Sequence, residues 1–204
     1  MKPHPAFAAI EFNSVPVGLF AADALLKKSP ISLIRSGTIG AGRFLILLAG
    51  TTASVAEAHA EALFHGGLQV ADDTFLPDIH SDLYDGILGN VRHAGEGPLW
   101  VLETPTVSCN IQAIERAMKG VPVELVEFRA GDPRMHGRGL SILQGDLYDV
   151  EAAQDIALSV LETRGIPAQH RLLTSPHDAL LRQISVSTRF DLATPLALEG
   201  EIAS

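Results

Sequence analysis

The pattern of hydrophobic and polar positions in the first half of the chain predicts an alternation of strands and helices. Residues 17–29 carry apolar side chains at roughly helical spacing, and Pro30 ends this helix because proline cannot continue it. A second helix is predicted for the alanine-rich stretch 51–67, which has threonine at its start and Gly66 near its end. Short apolar runs predict strands at about 7–12, 31–35, 43–49 and 68–76, and a short helix follows at about 81–88.

The second half of the chain repeats this pattern at a nearly constant offset. Glu11 aligns with Glu103 at a separation of 92 positions, and Gly42 aligns with Gly137 at a separation of 95, so the second copy has three extra residues in the intervening loop. A shared register over so long a stretch indicates a tandem duplication. The second copy is expected to have helices at about 107–119 and 147–163, and a polar, glycine-rich linker lies near 89–97. The predicted domains are residues 1–92 and 93–204.

The element order within each copy is strand, helix, strand, strand, helix, strand, helix. Consecutive strands joined by a short loop pair in antiparallel fashion, and the helices bury their apolar faces against the resulting sheet. The length of 204 residues suits two small domains of this kind. The predicted fold class is therefore α+β, with a mainly antiparallel sheet flanked by helices in each domain.

Composition narrows the class of protein without identifying a function. Hydrophobic residues make up 47% of the chain and charged residues 19%, which is enough apolar surface for a packed core. The net charge of −9 comes without a basic stripe, so binding to nucleic acid is not expected. The longest apolar run, 44–49, is far shorter than the roughly 20 residues of a membrane helix, and a single cysteine forms no disulfide within one chain. A soluble cytoplasmic protein without membrane contact is expected.

The segment 36–44, SGTIGAGRF, is the strongest candidate for a functional loop. Glycine-rich loops often hold phosphates, but a dinucleotide site requires a third glycine followed by a helix, whereas residues 43–49 have the pattern of a strand. A P-loop is also excluded, because no Gly-Lys-Ser/Thr follows. Two interpretations remain: a hairpin, longer than the commonest ones, whose glycines adopt positive φ, or loops that approach one another closely around a symmetry axis.

The first copy resembles the bacterial microcompartment (BMC) shell domain. The resemblance rests on a strand with a glutamate (AAIEF), a helix ending in lysine (AADALLKKS), a short glycine loop (TIGAG) and the segment PDIHSD, at residues 8–12, 21–29, 38–42 and 77–82. The second copy shares this frame less closely. The whole chain is similar to tandem BMC shell proteins with unpermuted element order, which implies a ferredoxin-like fold in both domains and a location in a microcompartment shell.

The resemblance implies that three chains form a flat pseudohexamer, in which six loops surround a central pore that admits small metabolites. The loop of the second domain is longer and charged, so Arg134 or His136 at the pore would favour anions; a solvated turn is the alternative for this loop. The residues that the resemblance places at the pore are Thr38, Ile39, Gly40, Ala41 and Gly42 of the first domain and Asp132, Arg134, Met135, His136 and Gly137 of the second.

Two lysines match the position at which neighbouring shell hexagons meet. Lys27 and Lys119 occupy it in the two copies, which implies edge-to-edge contacts with other shell proteins. The alternative is a solvated lysine that interacts with the C-terminal dipole of its helix. The edge arginine of the family is missing, since Asp78 and Ser175 stand near its place, so sheet assembly is expected to be weaker or to need another shell protein.

No cofactor or metal is expected. Tandem shell proteins of propanediol-utilisation compartments hold an iron–sulfur cluster with a cysteine at the position of Gly40, and glycine cannot bind iron. Cys109 lies at the start of a predicted helix and is expected to be a small buried residue, with a reactive thiol as the alternative. The expected partners are two further copies of the chain in a homotrimer.

Catalytic chemistry finds little support in the sequence. Ser108, Cys109 and His136 are residue types found in nucleophilic sites, but no strand–elbow motif accompanies them. His80 and His177 recur in both copies, which favours a shared packing or capping role over a catalytic one. The chain is therefore expected not to be an enzyme. A trimeric regulatory protein that binds a small ligand is the alternative function, and it would remain a discrete oligomer rather than form sheets.

Overall fold

The structure is a computed structural model that describes residues 5–198 and residue 200. The first domain comprises β1 (Ala6–Phe12), α1 (Val15–Lys28), β2 (Leu33–Gly40), β3 (Arg43–Gly50), α2 (Thr52–Gly66), β4 (Val70–Leu76) and α3 (Ser81–Ile87). The second comprises β5 (Leu99–Thr104), α4 (Val107–Gly120), β6 (Glu124–Arg129), β7 (Gly139–Gln144), α5 (Leu147–Thr163), β8 (Gln169–Leu173) and α6 (Asp178–Ile184). Short 3₁₀ helices span Gly67–Gln69, Pro133–Met135 and Phe190–Leu192.

Each domain contains a four-stranded antiparallel sheet, and the two sheets have the same topology. The strand orders are β2-β3-β1-β4 and β6-β7-β5-β8, so the second sheet repeats the first strand by strand. Helices flank both sheets in the same sequence order. The α+β fold class, the tandem duplication and the unpermuted order are thereby confirmed.

Side-chain caps fix the starts of several helices. The Thr51 hydroxyl accepts a hydrogen bond from the backbone N–H of Ser54, as its position before α2 predicts. His80 Nδ1 accepts from the backbone N–H of Asp82, and His177 Nδ1 accepts from that of Ala179 at the start of α6. The repeated histidines are therefore helix caps, which confirms the capping role expected from their recurrence.

The first sheet is covered on both faces, and this arrangement positions the two domains. Because successive strand residues point to opposite sides, Ala8 and Ile10 face α1 and α2 of their own domain. Leu45 and Leu47 face the other way, into a core shared with α4 of the second domain. α4 also packs on its own sheet, so it lies between two sheets and is buried along most of its length. We call this contact of the first sheet with α4 the domain interface.

The turn between β2 and β3 is shorter than the sequence pattern predicts. The strand was expected to end near residue 35, yet β2 continues to Gly40, and only Ala41 and Gly42 form the turn. Both turn residues have positive φ, 52° and 72°, as a two-residue hairpin of the primed type requires. The pairing shifts register between Thr38 and Gly40, so Ile39 is an extra residue in the strand. The expectation of a longer loop was wrong because backbone pairing, and not apolar pattern, extends this strand.

Candidate functional site

The structure brings the two candidate loops together within one chain. A Cβ atom on Gly40 would lie 2.7 Å from the carbonyl oxygen of Pro133 and 3.1 Å from the Cα of His136, so the hairpin tip packs directly on the longer loop. Ala41 and His136 are the two non-glycine residues with left-handed backbone among those that the structure describes, and each lies in one of these loops. We call residues 38–42 and 131–137 the loop pair. Gly40 is therefore a point of close contact between the two loops of one chain, and its approach to a symmetry axis stays a prediction.

Arg43 holds the loop pair together. Its Nη2 atom donates to the carbonyl oxygens of Pro105, His136 and Gly137 at 2.9, 3.2 and 2.5 Å. The guanidinium lies so close to Gly137 that a Cβ atom there would be 2.2 Å from Nη2, which accounts for glycine at this position. Sequence reasoning did not single out Arg43. A signal was available, because an arginine follows a glycine of the loop in both copies, as Arg43 and Arg138.

Only part of the loop pair is presented to solvent. Ile39 packs in the core shared by the domains, and the side chains of Ile39 and Asp132 are buried rather than exposed as a pore-lining role would suggest. Gly137 is also buried, beneath Arg43. The members of the loop pair that remain exposed or half-exposed are Thr38, Gly40, Ala41, Gly42, Gly131, Pro133, Arg134, Met135 and His136.

Asp132 holds the second loop in place through hydrogen bonds with its neighbours. Its carboxylate accepts a hydrogen bond from Arg129 and one from the backbone N–H of Arg134 at 2.9 Å, and Arg189 Nε lies 3.6 Å away. Burial alone would raise the pKa of Asp132, but the hydrogen bonds from Arg129 and Arg134 and their charges lower it below its usual value. Asp132 is therefore an ionised internal anchor of the loop.

The C-terminal segment is joined to the same loop. Arg134 donates from Nη1 to Asp191 Oδ1 at 2.6 Å and from Nη2 to Oδ2 at 3.2 Å, which is a bidentate pair. Hydrogen bonds from Arg134 lower the pKa of Asp191. Gln183 Nε2 donates to the carbonyl oxygen of Thr194 at 2.7 Å. The segment around 190–194, to which the sequence assigned no role, thus packs on its own chain and partly neutralises the exposed arginine.

Glu11 is a buried carboxylate at the domain interface. Its Oε1 accepts hydrogen bonds from the backbone N–H and the hydroxyl of Ser108, at 2.7 and 3.0 Å, and its Oε2 lies 3.4 Å from Arg43 Nη1. Burial raises the pKa of Glu11 to about 7, although the Ser108 hydrogen bonds and the charge of Arg43 act in the opposite direction. The glutamate that the sequence picks out as a repeat marker therefore joins β1 to the start of α4 across the two domains.

The second domain contains a copy of this pair in a different setting. Arg138 Nη1 donates to Glu103 at 2.6 Å, and these residues align with Arg43 and Glu11. The Arg138 side chain is 58% exposed and that of Glu103 31%, whereas Glu11 is fully buried. The same glutamate–arginine pair is therefore covered in one domain and open in the other.

The comparisons with known proteins agree with this duplicated architecture. The family model of the BMC domain matches residues 6–79. The bacterial microcompartment shell protein PduT of Citrobacter freundii is 29% identical over 179 residues, which cover 88% of this chain and 97% of that protein. The crystal structure of a microcompartment protein from Desulfitobacterium hafniense DCB is 28% identical, with a TM-score of 0.76 and coverage of 88% of this chain and 99% of that chain. The chain is therefore similar over most of its length to proteins of bacterial microcompartments, and its first domain matches the BMC domain.

A more distant structure shares the fold alone. The fused permuted hexameric shell protein MSM0275 from the RMM microcompartment is 24% identical, with a TM-score of 0.55 over 80% of this chain and 87% of that chain. None of the helices in the described part of the chain has the length and apolar character needed to cross a membrane.

The two candidate edge lysines of the chain have different surroundings. The Lys27 side chain is 73% exposed, and its Nζ pairs with Asp23 one turn earlier on α1 at 2.5 Å. Lys119 is 41% exposed, and its Nζ lies 2.7 Å from Glu115 and also contacts Asp78 of the first domain. Lys119 is thus partly engaged at the domain interface, and the edge role of both lysines stays a prediction.

The residues considered for nucleophilic chemistry lie in different environments, two of them buried and one exposed. Cys109 is buried beside Thr106, and burial raises the pKa of its thiol, so it is the small buried residue that was expected. Ser108 is also buried and donates its hydroxyl hydrogen to Glu11. His136, in contrast, is exposed in the loop pair. A structural role therefore accounts for each of the two buried residues.

Proposed function

We propose that this chain is a microcompartment shell protein that assembles as a closed homotrimer, a pseudohexamer of six BMC domains, whose loop pairs surround a central pore for small metabolites. One observation carries the proposal. Each of the two surfaces that form the domain interface occurs twice in the chain, once in each domain, but only one copy of each is in contact. In one chain, α4 covers the first sheet, while the matching helix α1 and the matching face of the second sheet lack this partner.

The free face of α1 is apolar. Leu19 and Leu26 are 54% and 49% exposed, and they align with Ile111 and Met118, which are buried on α4. The corresponding face of α4 is buried, so exposed leucines on this face of α1 are typical of an interaction surface. Phe20, 58% exposed, extends the same patch. Burial of these side chains is the main stabilisation expected from association.

The exposed face of the second sheet forms a shallow cavity. It corresponds to the face of the first sheet that α4 covers. The cavity has a volume of about 330 Å³ and is lined by Val101, Glu103, Leu140, Gln169, His170 and Arg171. Val101 aligns with Ala9 and Leu140 with Leu45, which are both buried in the core shared with α4. α1 of one copy therefore fits the second sheet of the next copy, as α4 fits the first sheet.

Because this contact joins two different surfaces, it repeats head to tail from one copy to the next. It closes into a ring when the successive rotations add up to a full turn. Each chain contributes two domains, so the six-domain ring to which the family resemblance points contains three copies. Arg43 donates to the carbonyls of Pro105, His136 and Gly137 within the chain. By the alignment, Arg138 would reach the carbonyls of Asn13, Ala41 and Gly42 in the next copy.

The two kinds of contact differ in one respect. Ser108 supplies a backbone N–H and a hydroxyl to Glu11, but its counterpart in α1 is Pro16, which has neither group. Glu103, the counterpart of Glu11, would therefore rely on Arg138 when α1 of the next copy covers it. The contact between copies is expected to be weaker than the domain interface within the chain.

In this ring the exposed part of the loop pair faces the axis. Thr38, Ala41 and Gly42 contribute a small, uncharged rim, and Met135 and His136 contribute the larger side chains of the second domain. Arg134 lies at the same rim but is paired with Asp191. The passage would admit small polar metabolites, and Lys27 and Lys119 would contact other shell proteins at the outer edges.

The test is the oligomeric state of the whole chain. Native mass spectrometry should give three copies, and negative-stain micrographs of concentrated protein should show hexagonally spaced sheets. The double variant Leu19→Glu/Leu26→Glu should abolish the trimer, because it places two carboxylates in the contact, while circular dichroism stays unchanged. Tyr148→Glu is the matched control, since Tyr148 is 84% exposed and its counterpart Ala53 is exposed outside the domain interface. A monomeric wild-type protein, or a trimeric double variant, would contradict the proposal.

A further inference from the structure

A cavity separate from the rim of the loop pair lies between the domains and the C-terminal segment. Its volume is about 480 Å³, within the range of small-molecule sites. β2 of the first domain contributes Arg35 to its lining, β6 of the second contributes Glu127, Phe128 and Arg129, and the end of α3 and residues 186–192 complete it. The structure of a single chain contains all of these elements, so the cavity exists without the proposed trimer.

Three arginines line this cavity. Arg35 comes from β2 and is exposed, and its guanidinium makes no hydrogen bond or ion pair with any residue that the structure describes. Arg129 comes from β6, its side chain is only 11% exposed, and its Nε is buried without a hydrogen-bond partner in the described chain. Arg189 comes from the C-terminal segment and is 44% exposed. Guanidinium groups from three separate elements thus converge on one space.

The acidic groups nearby are already engaged. Glu127 lines the cavity, but its two carboxylate oxygens accept from the Ser187 hydroxyl at 2.6 Å and the Thr188 backbone N–H at 2.8 Å. Asp132 accepts from Arg129 and lies 3.6 Å from Arg189 Nε. With three positive and two negative charges the site has a net positive charge. The Arg129 guanidinium is held in place by Thr188, which lies 3.2 Å from Nη1, and by Asp132, so its positive charge is fixed at the wall of the cavity.

The remaining wall is apolar. It is formed by Ile87, Leu88, Val91, Phe128, Val186 and Leu192. Small-metabolite sites combine such walls with a few convergent polar groups that fix the orientation of the ligand. Inorganic ions need no apolar wall, so this lining favours an anion that carries carbon.

We propose that this cavity is a binding site for a small organic anion, a carboxylate or a phosphate monoester, held by Arg35, Arg129 and Arg189. Guanidinium groups bind both kinds of oxyanion in bidentate fashion. The site extends the proposed role of the shell protein from passage of metabolites to their retention next to the loop pair. Because Arg129 also binds Asp132, a ligand there would contact the side chain that anchors the second loop.

Isothermal titration calorimetry of the full chain tests this site, with succinate and glycerol 3-phosphate as the two anionic probes. Succinamide and glycerol are the neutral counterparts. One saturable site per chain is expected for at least one anion, and none for the neutral compounds. Arg35→Gln should weaken binding at least tenfold without changing the fold, since the Arg35 guanidinium bonds to no described residue. Arg116→Gln is the matched control, because Arg116 is exposed on α4 outside the cavity and its guanidinium also makes no bond to a described residue.

The outcomes separate the two anion classes and the two proposals. Binding of succinate alone or of glycerol 3-phosphate alone assigns the class, and binding of both shows a general oxyanion site. Absence of saturable binding for both anions, or equal affinity in the Arg35 and Arg116 variants, would overturn the site. If Arg35→Gln changes the circular dichroism spectrum, Arg189→Gln replaces it under the same criteria. Native mass spectrometry of each variant reports the oligomeric state independently, so a loss of binding in an intact assembly concerns the cavity alone.

Discussion

The two domains of this protein have the same topology, but their equivalent surfaces have different partners. In the first domain, Glu11 is fully buried and bonded to Ser108 of the second domain, while Arg43 reaches three carbonyls there. In the second domain, the equivalent Glu103 and Arg138 pair with each other at the surface. The difference teaches that this noncovalent contact forms once within the chain, while the equivalent surface of the second domain stays open for the second copy that we propose.

The largest expected effect is a difference in the free energy of unfolding between variants of the covered Glu11–Arg43 pair and of the open Glu103–Arg138 pair. In the monomeric Leu19→Glu/Leu26→Glu background, Arg43→Ala should lower the free energy of unfolding by about 3 kcal/mol, because it leaves the buried Glu11 carboxylate and three carbonyls without their cation. Arg138→Ala in the same background should cost less than about 1 kcal/mol, since it removes an exposed pair. Urea unfolding measures both values, and equal losses would show that the two pairs do not differ.

The second prediction concerns the pH dependence of the covered pair. Burial raises the pKa of Glu11 from 4.5 to about 7, so the folded chain binds this proton more tightly than the unfolded chain. The resulting stabilisation is complete below pH 4.5 and is lost as the pH rises through 7. Because one pKa unit corresponds to about 1.4 kcal/mol, Glu11 alone changes the free energy of unfolding by a few kcal/mol across this window.

Glu11→Gln removes this titration and isolates its effect. In the monomeric background the stability of the variant should fall less between pH 4.5 and 7 than that of the parent. Glu103→Gln serves as the control, because its side chain is partly exposed in the single chain. Thermal unfolding across the pH range measures the difference. Parallel curves for the parent and Glu11→Gln would show that the burial of Glu11 does not govern this region.

The smallest expected effect on the chain itself comes from the edge lysines. Lys27→Ala with Lys119→Ala should leave the trimer intact, because both side chains are substantially exposed, yet it should abolish extended sheets. Lys28→Ala, at the neighbouring exposed position, should retain the sheets. Native mass spectrometry and negative-stain microscopy give the two readouts. Normal sheets in the double variant would refute the edge assignment, and loss of the trimer would place the lysines in the contact between copies instead.

Local signals made much of the fold predictable from the sequence. α2 was located almost to the residue because Thr51 caps it and glycine ends it, and α5 was assigned with its observed bounds. The repeat then supplied the second domain. The length of the hairpin was misjudged because β2 is continued by backbone hydrogen bonds through Gly37 and Gly40, which have no apolar side chain to mark a strand.

Contacts that bridge distant parts of the chain could not be predicted in this way. Arg43 reaches His136 and Gly137, and Arg134 reaches Asp191, in each case across more than fifty residues. Nor does composition reveal that Ile39 turns inward at the strand irregularity. These features follow from the packing of two complete domains. The sequence therefore located the candidate loops but did not predict the contacts that hold them.

Pro16, at the start of α1, adds a chemical difference between alternate junctions of the proposed ring. Ser108 stands at the three junctions within the chains, and Pro16 stands at the three junctions between them. Together with the unequal loops of the two domains, this difference limits the symmetry of the proposed disc to rotations of 120°. In a shell assembled as we propose, a neighbouring protein would therefore meet two alternating kinds of domain around each trimer.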